Sequence, residues 1–335
     1  MLGVYAAVVL AVGLVAGVPI ESAQSGVKLD GYAEWKRPGE LIVDGQRVQA
    51  TPQTRWKGRF KTLESVPLGD EVRVTGTRAA DGRVLAREID VRPNTSTALF
   101  ESDVLAGTNE LESLWRSSGS AFEADDSGRK KVIGELEQEG ARVQRVRGLV
   151  ERLAPAYVNR EALRVYVIDN KEWNAMAMGN GAIWVFKGIM DDMTDPELAI
   201  VVGHELAHYT HEHSRRQMRR GIWTQLAGLS ALLAAEALDN DAARAAAQLG
   251  AVFTVSALTS GYGRDLEDQA DRVGLRYAYE AGFDISQAPG VWQRFLKKYG
   301  QEDRLTNFFF SDHSLASARQ VNLQREISLN YPNRH

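Results

Sequence analysis

The chain has 335 residues, its 40 basic and 44 acidic side chains give a formal charge of −4, and 44% of its residues are hydrophobic. That balance excludes a disordered chain, and the interspersed charges leave no basic footprint, so no nucleic-acid partner is expected. Cysteine is absent, which excludes a disulfide framework, a thiolate metal site and a thiol nucleophile.

The run Leu2–Ile20 carries no charged side chain and is long enough to cross the hydrocarbon core of a bilayer. Residues 1–22 therefore read as a signal peptide or a membrane anchor, which implies a periplasmic, secreted or membrane-anchored protein with membrane contact through residues 2–20.

Residues 27–93 read as β. Leu41-Ile42-Val43 and Gln46-Arg47-Val48 flank Asp44-Gly45, a hairpin signal. Glu71–Thr75 alternates with period two, and Asp81-Gly82 turns the chain into Val84–Val91. These short strands predict a small OB-like β-barrel module of unknown role. Trp35, Trp56 and Phe60 are expected to fill its core rather than to offer a stacking platform. Pro93–Thr97 reads as the linker that ends it.

From residue 98 the pattern turns helical. Val132, Leu136, Val143, Val146, Leu149, Val150 and Leu153 predict one amphipathic helix over residues 129–153. Leu163–Ile168 and Ala182–Phe186 are strand candidates. Thr194-Asp195-Pro196-Glu197 is a helix start, with a capping residue, proline at the first helical position and an acid in the first turn. That helix is expected to reach about Arg219. The Ala- and Leu-rich residues 222–258 read as buried core helices in preference to a membrane hairpin.

The chemistry lies on the helix that Pro196 opens, in His204-Glu205-Leu206-Ala207-His208. Residues four apart advance about 400° and share one helix face, so both imidazoles can bind one metal ion. Glu205 lies about 100° around the helix, placed to act on a water at the metal without being a ligand. A catalytic zinc site takes three protein ligands and leaves a fourth position open. A third ligand at fixed steps after His208 is excluded, because His211 and Ser214 occupy those places. Asp265, Glu267, Asp268 and Asp271 are four acids in seven residues downstream. On a helix Glu267 and Asp271 share a face, yet physical chemistry alone does not choose among the four.

HExxH followed downstream by Glu267-x-x-Ala270-Asp271, with Gly274 shortly after, resembles metallopeptidase family 48. This is the gluzincin family of the HtpX heat-shock peptidases, the CAAX prenyl endopeptidases and the BepA-like enzymes. The resemblance implies one zinc ion per chain on His204, His208 and Glu267, with Glu205 catalytic and Asp271 accepting a hydrogen bond from a ligand histidine. Asn174-Ala175 and Ala182-Ile183-Trp184-Val185 resemble the family's edge strand beside the substrate. His313 and Arg319 resemble a late His…Arg element that supports the oxyanion, although Ser314 stands where the family has proline. His211 and His213 are expected to be structural or to support the ligands. The implied fold class is α+β: a mainly helical, zincin-like metallopeptidase domain with a small mixed sheet over residues 98–335, behind the barrel module.

The expected function is a zinc metalloendopeptidase that hydrolyses peptide bonds of extended or unfolded protein segments, with envelope protein quality control as its setting. The alternative is a zinc-containing chaperone-like or binding protein with little turnover.

Overall fold

A computed structural model describes residues 26–92, 99–124, 130–214, 216–217, 262–299 and 316–331. The apolar run at residues 2–20, the segment 222–258 and His313 lie outside the described residues.

Five strands close the N-terminal barrel: β1 (Gly26–Arg37), β2 (Glu40–Val43), β3 (Gln46–Lys57), β4 (Glu71–Arg78) and β5 (Val84–Arg92), in the order β1-β2-β3-β5-β4. β3 and β5 are parallel, and the other pairs are antiparallel. Period-two alternation points Val72, Val74, Val84, Ala86, Ile89 and Val91 into the barrel. The expected hairpin forms at Asp44-Gly45, both in the left-handed region at φ 50° and 71°. Trp56 and Phe60 pack against the barrel core as expected. Trp35 does not join that core: its ring faces the next unit, with the Arg276 guanidinium 4.7 Å from the ring centroid.

The second unit begins with α1 (Leu99–Ser118) and the hairpin β6 (Ser120–Ala124) and β7 (Lys130–Glu137). The helix expected over 129–153 is thus half strand, and α2 starts only at Ala141 and runs to Leu153. The reason is visible at two glycines. A side chain at Gly134 would collide with the Asp169 carbonyl at 2.6 Å, and Gly140 turns the chain at φ 108°. The apolar spacing of Val132 and Leu136 fits a helix, but pairing with the neighbouring strand overrides it.

β8 (Arg164–Asp169), β9 (Ala175–Ala177) and β10 (Ala182–Phe186) complete a mixed sheet in the order β6-β7-β8-β10-β9. Val165, Val167, Ile183 and Val185 face a helical core that includes α2, α3 (Lys187–Asp192) and α4 (Asp195–Thr210). Tyr166, Ile168, Trp184 and Phe186 face the other way, where Trp115 of α1 packs edge-on against Trp184 at 4.7 Å.

α4 starts at the expected capping residue, Thr194, which forms a capping box: its backbone N–H donates to the Glu197 carboxylate at 3.0 Å. It is buried on nearly every face, as its apolar sequence demands. It ends at Thr210 rather than near Arg219, because Glu212 turns the chain at φ 53°. Among the described residues, the longer helices that follow are α5 (Arg264–Glu280), α6 (Ala288–Tyr299) and α7 (Ala316–Asn330).

α4 and α5 cross with their backbones in contact. A side chain at Gly274 would lie 2.6 Å from the His204 backbone nitrogen, and one at Gly203 would lie 2.9 Å from the Gly274 carbonyl. This approach is open only to glycine, and it sets the distance from α5 side chains to the His204 and His208 face.

Candidate metal centre

His204 and His208 sit one turn apart on α4, both 1% exposed, with their Nε2 atoms 2.9 Å from each other. Glu267, in the first turn of α5, is fully buried and bridges the pair. Its Oε2 lies 3.5 Å from His204 Nε2 and its Oε1 3.5 Å from His208 Nε2. One ligand atom from each residue falls within 4.8 Å of the others. Asp268 points elsewhere and accepts a hydrogen bond from Asn322 at 3.0 Å. The choice among the downstream acids is thus made by which face of α5 meets α4.

Each histidine is held from behind. His204 Nδ1 lies 2.9 Å from an Asp271 oxygen. Asp271 is in turn clamped by Arg319, which donates from Nε at 2.9 Å and from Nη2 at 2.6 Å. Arg319, on α7, is 1% exposed, packs its guanidinium 3.5 Å from the Trp292 ring centroid and reaches Glu267 at 3.3 Å. Burial and the Arg319 charge pull the His204 pKa down, but Asp271 and Glu267 outweigh them and hold it above the ordinary value. Burial alone would raise the Asp271 pKa; the Arg319 charge and hydrogen bonds reverse this and keep it low.

His208 stacks on Tyr262 at 4.0 Å, and its Nδ1 lies 2.8 Å from His213 Nδ1. Burial, with the charges of Arg216 and His211 nearby, pushes the His213 pKa well down, and burial pushes that of His211 to about 4.

The donor set suits a divalent ion. Glu205, Glu267 and Asp271 are buried carboxylates, and Arg319 is the buried cation among them, so these four carry excess negative charge in a space without water screening. Two imidazole nitrogens facing each other at 2.9 Å need a proton or a metal between them. Two nitrogens and a carboxylate are the ligand chemistry of zinc peptidase sites.

Glu205 is buried beside His204, and its Oε2 accepts the backbone N–H of Ala177 at 3.1 Å. That contact ties it to β9, one of the two edge strands of the sheet among the described residues. Here one expectation is corrected. Ala182, Ile183, Trp184 and Val185 of β10 are buried and paired with β8 on one side and β9 on the other. Their backbone has no open edge for a further strand. Asn174 and Ala175 do lie at the edge. Asn174 is 1% exposed, its Oδ1 accepts the Ala175 N–H at 2.8 Å, and its Nδ2 has no hydrogen-bond partner among the described residues.

Gln269 was not singled out from the sequence. It is fully buried on α5 and joins His213 to the barrel, with its Oε1 3.0 Å from His213 Nε2. No local signal marks it, because the partners of its amide nitrogen, Glu34 and Asp44, lie in the barrel.

The model of a second family, a domain of unknown function (DUF5666), matches residues 30–90, the barrel. Among individual relatives, the chain is 27% identical to the metalloprotease YcaL and 28% to the metalloprotease LoiP, both of Escherichia coli strain K12. Each match covers 51% of this chain and 65% of the relative. It is 29% identical to the mitochondrial metalloendopeptidase OMA1 of Bos taurus over 39% of this chain and 25% of that one. The chain therefore spans between a quarter and two thirds of the length of these relatives. The model for Peptidase family M48 matches residues 140–327, more than half of the chain and every described residue of the His204–Glu267 cluster, and the chain belongs to that family.

Proposed function

We propose that the protein is a zinc-dependent endopeptidase in which His204, His208 and Glu267 hold the ion and Glu205 is the general base. The observation that carries this reading is the convergence of three buried ligand atoms within 4.8 Å, with a further buried carboxylate, Glu205, on the helix that carries the two histidines. A zinc ion held there supplies a Lewis acid that polarises the scissile carbonyl and acidifies a water. Glu205 takes the proton of the attacking water and passes it to the leaving amine. The Ala177 N–H holds that carboxylate in place. Asp271 fixes the His204 ring so that Nε2 is presented forward. Arg319, clamped on Asp271, supports that orientation and adds a positive field for a developing oxyanion; His313 is the other candidate for that role.

The substrate is a protein or peptide segment in extended form, lying along the outer side of β9 at Asn174–Ala177. Backbone pairing tolerates many side chains, so broad sequence preference is expected. The organisation we favour is a barrel module over residues 27–93 and a zincin-like peptidase domain over 98–335. The uncharged run at residues 2–20 favours the cell envelope as its location and protein quality control there as its role.

Zinc content and casein hydrolysis test the reading together. Glu205→Gln is expected to keep zinc while hydrolysis falls about 100- to 10,000-fold, the loss expected when general acid–base assistance is removed. Hydrolysis at the wild-type rate in that variant rejects Glu205 as the base.

A further inference from the structure

The two histidines are supported by different parts of the chain. His204 is backed by Asp271 and Arg319, from α5 and α7. The chain of contacts behind His208 leaves the helix–sheet unit altogether. His208 Nδ1 meets His213 Nδ1 at 2.8 Å, and His213 Nε2 meets Gln269 Oε1 at 3.0 Å. Gln269 Nε2 then donates to Glu34 of β1 at 2.8 Å and to Asp44 of the β2–β3 turn at 3.0 Å.

The direction of every bond in this series is fixed. A histidine that offers Nε2 to a metal carries its proton on Nδ1, so His208 donates and His213 Nδ1 accepts. His213 Nε2 therefore carries a proton and donates to Gln269. The amide cannot be flipped. Its oxygen also accepts from Arg216 Nη1 at 2.5 Å, and its NH2 faces two carboxylates that only accept. The series ends on Glu34, which is 2% exposed and pinned by the Gly45 N–H at 3.0 Å and by Arg272 at 3.1 Å. Gly45 takes φ 71°, a backbone conformation that favours glycine, beside the Arg272 guanidinium.

A barrel that only covered a hydrophobic face would not need a buried carboxylate against α5. Burying Glu34 is costly unless it is paired, and the charge is placed where a run of N–H groups points at it. We propose that the N-terminal barrel is part of the metal centre, its Glu34 acting through Gln269 and His213 as a positioning residue that fixes the tautomer and ring orientation of His208. The barrel, matched to a domain of unknown function, thereby has a role in metal binding. This rests on His208 being a ligand, as proposed above.

The test uses the full chain and measures zinc affinity by chelator competition, together with the visible absorption of the cobalt-substituted protein, whose bands report ligand geometry. Loss of hydrogen-bonded support behind a ligand histidine typically weakens metal binding about 10- to 100-fold. Gln269→Leu, similar in size but unable to relay a hydrogen bond, is expected to fall in that range and to change the cobalt spectrum. Glu34→Gln is expected to weaken zinc in the wild-type background and to add nothing in the Gln269→Leu background. Glu88→Gln, which breaks the exposed pairs with Arg55 and Lys57 on the same barrel, is expected to leave zinc affinity unchanged.

A folded Gln269→Leu protein with wild-type affinity and spectrum overturns the proposal. So does a Glu34→Gln effect of equal size in both backgrounds. If Gln269→Leu does not fold, Glu34→Gln decides alone: unchanged affinity and spectrum overturn the proposal, and a weakened, altered site upholds it. His208→Ala separates this failure from failure of the site reading. Retained zinc in His208→Ala removes His208 as a ligand, whereas lost zinc there beside wild-type binding in the Glu34 and Gln269 variants removes only the relay.

Discussion

Gly203 and Gly274 touch through their backbones, and this contact brings Glu267 to the paired imidazoles on α4. Because backbone rather than a flexible side-chain tip occupies the space beside each α-carbon, neither helix can yield without moving the site. Gly274→Ala is therefore expected to cost about 2 kcal/mol in stability through overpacking. It should also weaken zinc binding, since Glu267 is displaced from His204 and His208. Denaturant unfolding and zinc titration check both; a variant with normal zinc affinity means that the crossing does not control the site.

Glu267 and Asp268 are adjacent in sequence but face different surroundings. Glu267→Ala is expected to lower zinc content sharply, whereas Asp268→Ala, which breaks only the Asn322 contact, should retain it. Metal analysis of the two purified proteins decides the matter, and equal zinc retention would place the third ligand elsewhere.

Trp184 is fully buried, stacked on Tyr166 at 4.4 Å and edge-on to Trp115. Its side chain serves the sheet, not a substrate. Trp184→Ala is expected to cost about 3–5 kcal/mol, as for other buried tryptophans, while peptides cleaved below the melting temperature keep the same sites. A shifted cleavage pattern at unchanged stability would contradict this.

Glu112 ties α1 to the sheet. It accepts two bonds from Arg164, one from the Tyr166 hydroxyl and one from Asn180, all at 2.7 Å. Burial works to raise its pKa, but the Arg164 and Tyr166 hydrogen bonds and the Arg164 charge hold it below the ordinary 4.5. A carboxylate with a depressed folded pKa stabilises the fold fully above its unfolded value and loses that effect as pH falls through the folded one. Glu112→Gln should thus be about 2 kcal/mol less stable at pH 7. The gap should hold to about pH 5 and close as the pH drops below 4.5. Chemical denaturation across pH measures it, and a constant gap would show that the charge is not responsible.

The sequence by itself determined the local part of this protein. A four-residue spacing places His204 and His208 on one face because the helix has 3.6 residues per turn. Thr194 and Pro196 fix where that helix starts, and Asp44-Gly45 fixes a hairpin, because each acts through its own backbone. Helix and strand periods became ambiguous where tertiary pairing competes with spacing, as at Val132–Leu136, and the length of α4 depended on the turn at Glu212. Only the tertiary structure decided that β10 is enclosed and β9 lies at an edge of the sheet, and that Arg319 clamps Asp271. It alone joined Glu34 to Gln269 across 235 residues of chain. Such contacts are made by close approach of distant elements, which no local spacing encodes.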